Sequence, residues 1–222
     1  MENWIFEIRS RSFFLLVLLF VIVTVLVYSE ITEEFDQSVI VYFNSIAGNP
    51  GFDFLMQSIT EMGDIYYMLF FGIVLIIIKR TRRIGITIMI LLVFSTLLTG
   101  YVKCGVDRDR PNQEFAGDPF PIPIDSDTYA LFCEGGRNAS YPSGHAARAI
   151  IFAIILGYSL SERFPRGCYL LLIYPFLMSL SRVYILQHFP MDVIGGTILG
   201  ILLAGALAHK TKLYKMFEKS KS

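Results

Sequence analysis

The sequence predicts an all-α membrane protein: a six transmembrane helix bundle with short interfacial helices and both termini cytoplasmic. Three observations carry this. Hydrophobic residues make up 54% of the 222-residue chain and its mean hydropathy is +0.56, oilier than a soluble domain. Apolar runs recur at about residues 13–29, 65–78, 84–102, 149–161, 168–181 and 193–208. Lys and Arg gather in the segments that a six-span topology places on one side.

The first run follows Arg9 and Arg11, as a signal peptide would, but "YSEITEEF" after it offers no small-x-small cleavage site, so a retained span is expected. Residues 30–64 contain no Lys or Arg and seven acids. Within them Phe35, Val39, Tyr42 or Phe43, and Ile46 recur at helical spacing until "GNPG" at 48–51 interrupts, which reads as short amphipathic helices in the outer interface. Spans two and three flank the basic turn 79–83. The largest outer loop, residues 103–147, carries five prolines and reads as irregular. Spans four and five flank Arg163 and Arg166, and span six bears Gly196, Gly200 and Ala204, a small-residue stripe for close helix packing. The tail from Lys210 is basic and suits anionic lipid. Of 19 Lys and Arg, 13 fall on the cytoplasmic side of this topology. With no composition break, a single domain over residues 1–222 is expected.

The 19 basic residues balance 19 acids, so bulk charge gives no reason to expect a nucleic acid partner. The six basic residues left on the outer side are Lys103, Arg108, Arg110, Arg137, Arg148 and Arg182. Most sit in three clusters. "KCGVDRDRP" (103–111) leaves span three, and if the helix persists to Pro111, Lys103 and Arg110, seven apart, project the same way. "YPSGH" (141–145) has the form of a helix start, where unpaired N–H groups and the positive dipole end favour an anion. There Ser143 offers a hydroxyl, Gly144 permits close backbone approach and His145 can carry a proton. "SRVYILQHFPMD" (181–192) puts Arg182 at the end of span five and His188 four residues before Asp192, with Pro190 in a first-turn position.

Taken singly, each cluster has a structural reading: snorkelling cations, a helix cap, a His–Asp pair at a helix entry. Their coincidence on one face favours chemistry. Two imidazoles, a carboxylate and several cations suit a phosphate ester, in which one His attacks phosphorus and the other protonates the leaving oxygen. No metal or other cofactor is expected, because the adjacent cations would oppose a dication and neither HExxH nor CxxC is present.

These clusters resemble the signature of the type 2 phosphatidic acid phosphatase superfamily of integral membrane lipid phosphatases: K-x6-R-P, P-S-G-H and S-R-x5-H-x3-D. All signature positions are present, in order, and the resemblance covers roughly residues 65–208. It implies a metal-free site at the outer membrane surface, with His188 as nucleophile forming a phosphohistidine, Asp192 supporting it and His145 as general acid. Lys103, Arg110, Ser143, Gly144 and Arg182 would hold the phosphate oxygens. Arg148 lies outside the shared pattern; three residues after His145, it is expected to assist with a second phosphate or headgroup, or else to form an interfacial ion pair.

The expected function is therefore dephosphorylation of a membrane lipid phosphate or diphosphate outside the cytoplasm. An isoprenoid diphosphate such as undecaprenyl diphosphate comes first, phosphatidate-type lipids next and lipid A behind. Alternatives are phosphotransfer to an acceptor other than water and a non-catalytic lipid-binding or transport protein. The expected partners are a lipid phosphate and the bilayer of the cell membrane; oligomeric state is not legible. Cys104 and Cys133 share the outer loop, and the sequence leaves open whether they are bridged. "NAS" at 138–140 is formally a glycosylation acceptor, crowded by Ser143 and His145.

Overall fold

The structure is a computed structural model and describes residues 8, 10–115, 133 and 139–210, with backbone alone for 209 and 210. Arg137, Asn138 of the sequon, the side chain of His209, the basic tail from 211 and most of the loop 103–147 between residues 115 and 139 lie outside the described residues.

The described chain is helical: α1 (Arg11–Tyr28), α2 (Glu33–Ile46), α3 (Pro50–Glu61), α4 (Ile65–Ile77), α5 (Arg82–Val106), α6 (Gly144–Leu160), a 3-10 helix (Gly167–Leu172), α7 (Ile173–Tyr184) and α8 (Pro190–Lys210). Local chemistry explains the boundaries. Asn49 accepts from the Phe52 N–H and Pro50 opens α3, while Asp64 accepts from the Tyr66 N–H at 2.8 Å to start α4. Glu33, Glu34 and Asp36 occupy the first turn of α2, where the helix dipole favours acids. Span five is not one α-helix as expected. Pro175 has no N–H to donate back to the preceding turn, and that turn tightens into the 3-10 segment.

Among the described residues, four segments are long and apolar enough to cross a membrane: α1, α5, the 3-10 helix with α7, and Pro190–Ala208 of α8. A fifth arises if α3 and α4, bent by 55° across residues 62–64, count as one broken span. The expected fourth span, α6, has only 17 residues. Every residue from His145 to Ile155 is buried, on all sides of the helix. A helix with that burial pattern is the centre of a bundle.

Around α6 pack α5, α7 and α8, with α4 against α5 and α1 against α8. One core joins Ile84, Ile88 and Leu91 of α5 to Ile151 and Ile155 of α6 and Ala204 of α8. In hydrocarbon such contacts are held by close packing rather than by release of water. The small-residue stripe of α8 finds its partner in α6. A Cβ on Gly196 would collide with the Ser143 carbonyl, and one on Gly200 with that of Ala147. The two backbones thus meet where α6 begins. Phe14, Leu15 and Leu18 of α1 and Phe70 and Phe71 of α4 point outward, as lipid-facing side chains do.

Candidate active site

The N-terminal ends of α6 and α8 are stitched together by backbone. The Ser143 N–H donates to the Asp192 carbonyl at 2.9 Å. Ser143 also caps α6, its hydroxyl accepting from the Ala146 N–H, and Gly144 is the first helical residue, as the motif predicted. Two helix starts with their positive dipole ends adjacent make a favourable place for an anion. Beside them Tyr141 is fully buried, its hydroxyl 2.9 Å from that of Thr24, and burial pushes its phenol up to about 12.

His188 lies in the turn before α8, and its backbone N–H donates to the carbonyl of Arg182 at the end of α7. Asp192, in the first turn of α8, has each oxygen engaged. Oδ2 accepts from the Phe189 N–H at 2.8 Å and lies 3.5 Å from His188 Nδ1. Oδ1 accepts from Arg108 Nη1 at 2.9 Å. Nδ1 is the ring nitrogen on the side of the carboxylate, and Nε2 is the one directed away from it. His188 is 1% and Asp192 0% exposed, so their attraction is little screened.

Arg108, which sequence reasoning counted among the basic residues without giving it a role, was missed as a site residue. Besides Asp192, its Nη2 donates to Asp36 Oδ2 at 2.7 Å and reaches Glu33 Oε2 at 3.3 Å. The guanidinium sits 4.1 Å over the Phe189 ring. Burial works against its charge, but Asp192 and Asp36 outweigh it and hold the Arg108 pKa above its usual value. Asp36 is itself fully buried, and its Oδ1 accepts from the Met191 N–H at 3.1 Å. Helix α2 is thereby fastened to the first turn of α8. A signal was available: residues 30–64 hold seven acids with no Lys or Arg among them and so required cations from elsewhere, and Arg108 is one.

The three clusters do converge, though not by the helical phase expected of the first. α5 stops at Val106, where Asp107 takes a left-handed conformation (φ 49°) that Asp tolerates better than most residues. Lys103 is in the last turn of the helix and Arg110 is in the loop, so they do not share a helix face. Arg110 reaches the third cluster by another route, donating to Gln187 Oε1 at 2.7 Å. Arg182 is buried in the last turn of α7. Cys104 and Cys133, left open by the sequence, are bridged, with Cα atoms 6.0 Å apart.

His145 and Arg148 are both buried one turn apart on α6. Arg148 donates to the Gly63 carbonyl from Nε at 3.3 Å and Nη2 at 3.2 Å, and Nη2 lies 3.3 Å from His145 Nδ1. Neither expectation for Arg148 named these partners. Next to Gly63, Met62 and Tyr174 head an apolar groove of about 330 Å3, lined further by Tyr67, Phe71, Phe152 and Leu156. A polar pocket of about 370 Å3 opens beside Arg108 and Arg110, with Glu30, Glu33, Asp107 and Asp109 on its wall.

The arrangement resembles known proteins in sequence and in shape. Residues 84–215 match the family model of the PAP2 superfamily. The chain is 31% identical over 202 residues to a protein of Sulfolobus acidocaldarius named undecaprenyl-diphosphatase, covering 86% of this chain and 87% of that one. It is 30% identical over 166 residues to phosphatidylglycerophosphatase B of Bacillus subtilis, covering 69% and 72%. Among solved structures, a PAP2-type phosphatidylglycerolphosphate phosphatase from Bacillus subtilis superposes with a TM-score of 0.74 at 21% identity, over 94% of this chain and all of that one. With its signature clusters brought together around Asp192, the chain belongs to the PAP2 superfamily.

Proposed function

We propose that the protein is a lipid phosphatase that removes phosphate from a membrane lipid phosphate or diphosphate, an isoprenoid diphosphate before a phosphatidate-type lipid, through a phosphohistidine. The observation that carries this is the Asp192 carboxylate beside His188 Nδ1, which orients the ring and supports the positive charge it gains as Nε2 attacks phosphorus. Lys103, Arg110, Ser143, Gly144 and Arg182 bind the phosphate oxygens; Asp192 already serves Arg108 and the Phe189 N–H, a use that suits orientation of His188 better than a metal. His145 faces the leaving oxygen, and water then releases phosphate from His188. The relatives named for undecaprenyl diphosphate and phosphatidylglycerophosphate support the substrate class.

α6 and the bent α3–α4 pair complete six spans, with both termini cytoplasmic and the site extracytoplasmic; the 13 basic residues on one side support that orientation. The apolar groove beside Gly63 suits the hydrocarbon of such a lipid. Phosphate release from detergent-solubilised protein, given a lipid panel with chelator present, tests the reading. Wild type is expected to release phosphate and His188→Ala not to; release by both would sink the mechanism.

A further inference from the structure

Arg148 touches His145 through a bond that has only one polarity. A guanidinium carries donors and no lone pair, so in the 3.3 Å contact Nη2 donates and His145 Nδ1 accepts. The two bonds from Arg148 to the Gly63 carbonyl hold the guanidinium there, and both side chains are buried. A ring whose Nδ1 lone pair is taken by a cation keeps its one proton on Nε2. Such a ring donates a hydrogen bond well. It gives up its proton poorly, because doing so would leave an imidazolate.

We propose that Arg148 is a positioning residue that fixes His145 as the Nε2–H donor, and so makes the site selective for lipids whose leaving group is itself a phosphate over lipid monophosphates. This rests on the reading that His145 faces the leaving oxygen. For a diphosphate, the His188 Nε2 lone pair forms the N–P bond while the bridging P–O bond breaks, and the electron pair leaves on what becomes a terminal oxygen of the lipid phosphate. That oxygen belongs to a group with a second pKa of about 6, so a hydrogen bond suffices and no proton need move. Water next attacks phosphorus, the N–P electron pair returns to Nε2, and the water's protons leave with inorganic phosphate. For a monophosphate the departing group is a lipid alkoxide, which must take a proton to leave as an alcohol. The Nε2–H held by Arg148 is ill suited to supply it.

The test is steady-state phosphate release by the purified full-length protein from an isoprenyl diphosphate and the monophosphate of the same chain. Wild type is expected to favour the diphosphate in kcat/KM by about a hundredfold. In Arg148→Met, which is close in length but cannot donate, the expected kcat on the diphosphate falls and that on the monophosphate rises by about threefold to tenfold, with both KM values little changed. Arg148→Lys donates and cannot accept, and is expected to keep the wild-type preference. A loss of packing alone would lower both activities, and a direct grip on the second phosphate would raise the diphosphate KM alone; either result overturns the proposal. Should Arg148→Met not fold, equal efficiencies in wild type, or a folded Arg148→Lys without the preference, overturn it. Release from both lipids without preference defeats this inference while leaving the phosphatase reading intact, whereas no release from either defeats both.

Discussion

Arg108 and Asp192, 84 residues apart in sequence, meet at 2.9 Å with Asp36 held on the other arm of the same guanidinium at 2.7 Å. Both carboxylates are fully buried and Arg108 is the cation between them. The pairing fixes the oxygen of Asp192 that does not face His188, and with it the direction in which the other oxygen points.

Arg108→Gln is therefore expected to act on catalysis and on stability together. Two buried carboxylates lose their cation, which costs about 3–5 kcal/mol when one member of a buried pair is removed. With Asp192 less well aimed, kcat is expected to fall by about 10- to 100-fold. Asp36→Asn removes one charge while keeping most of the shape, and a smaller drop in kcat at near-wild-type thermal stability is expected. Phosphate release and thermal unfolding in detergent, measured side by side, check both; unchanged kcat in folded Arg108→Gln would contradict this role.

The backbone approach of α8 to α6 yields a second prediction. Gly196→Ala places a methyl against the Ser143 carbonyl, where backbone rather than a flexible side chain must yield. Overpacking of this kind costs about 1–3 kcal/mol. Because Ser143 caps the helix start that carries His145, phosphate release is expected to fall as well. Ala204→Gly, further along the same stripe, lies away from that start and is expected to leave release nearly unchanged.

The disulfide supplies a third. Cys104 follows Lys103 in the last turn of α5, and the bridge to Cys133 closes a stretch of 29 residues. Replacing both by Ser is expected to destabilise the protein by about 2–4 kcal/mol. Alkylation followed by mass measurement, with and without reductant, is expected to add two modified cysteines only after reduction.

Much of this was legible in the sequence because its signals are local. Apolar runs marked the helices, Ser143 and Pro190 marked helix starts, and the spacing of His188 and Asp192 put them within one turn. What escaped was non-local. Whether α5 would reach Pro111 depended on one left-handed residue, Asp107. Arg108 gains its meaning from Asp36, an acid 72 residues away on α2, and no spacing rule reports such a pair. Arg148 was correctly set beside His145, but its second partner is the Gly63 carbonyl, 85 residues distant. The disulfide likewise joins residues whose separation in space the sequence does not state.

The central claim is that His188 becomes covalently phosphorylated. It is tested most directly by rapid acid-free quenching of the protein with a lipid diphosphate labelled with radioactive phosphorus at its terminal phosphate. Label attached to wild-type protein, acid-labile and base-stable, mapping to the peptide that contains His188 and absent from His188→Ala, is the predicted result. Phosphate release by His188→Ala at the wild-type rate, with no labelled protein in either, would contradict it.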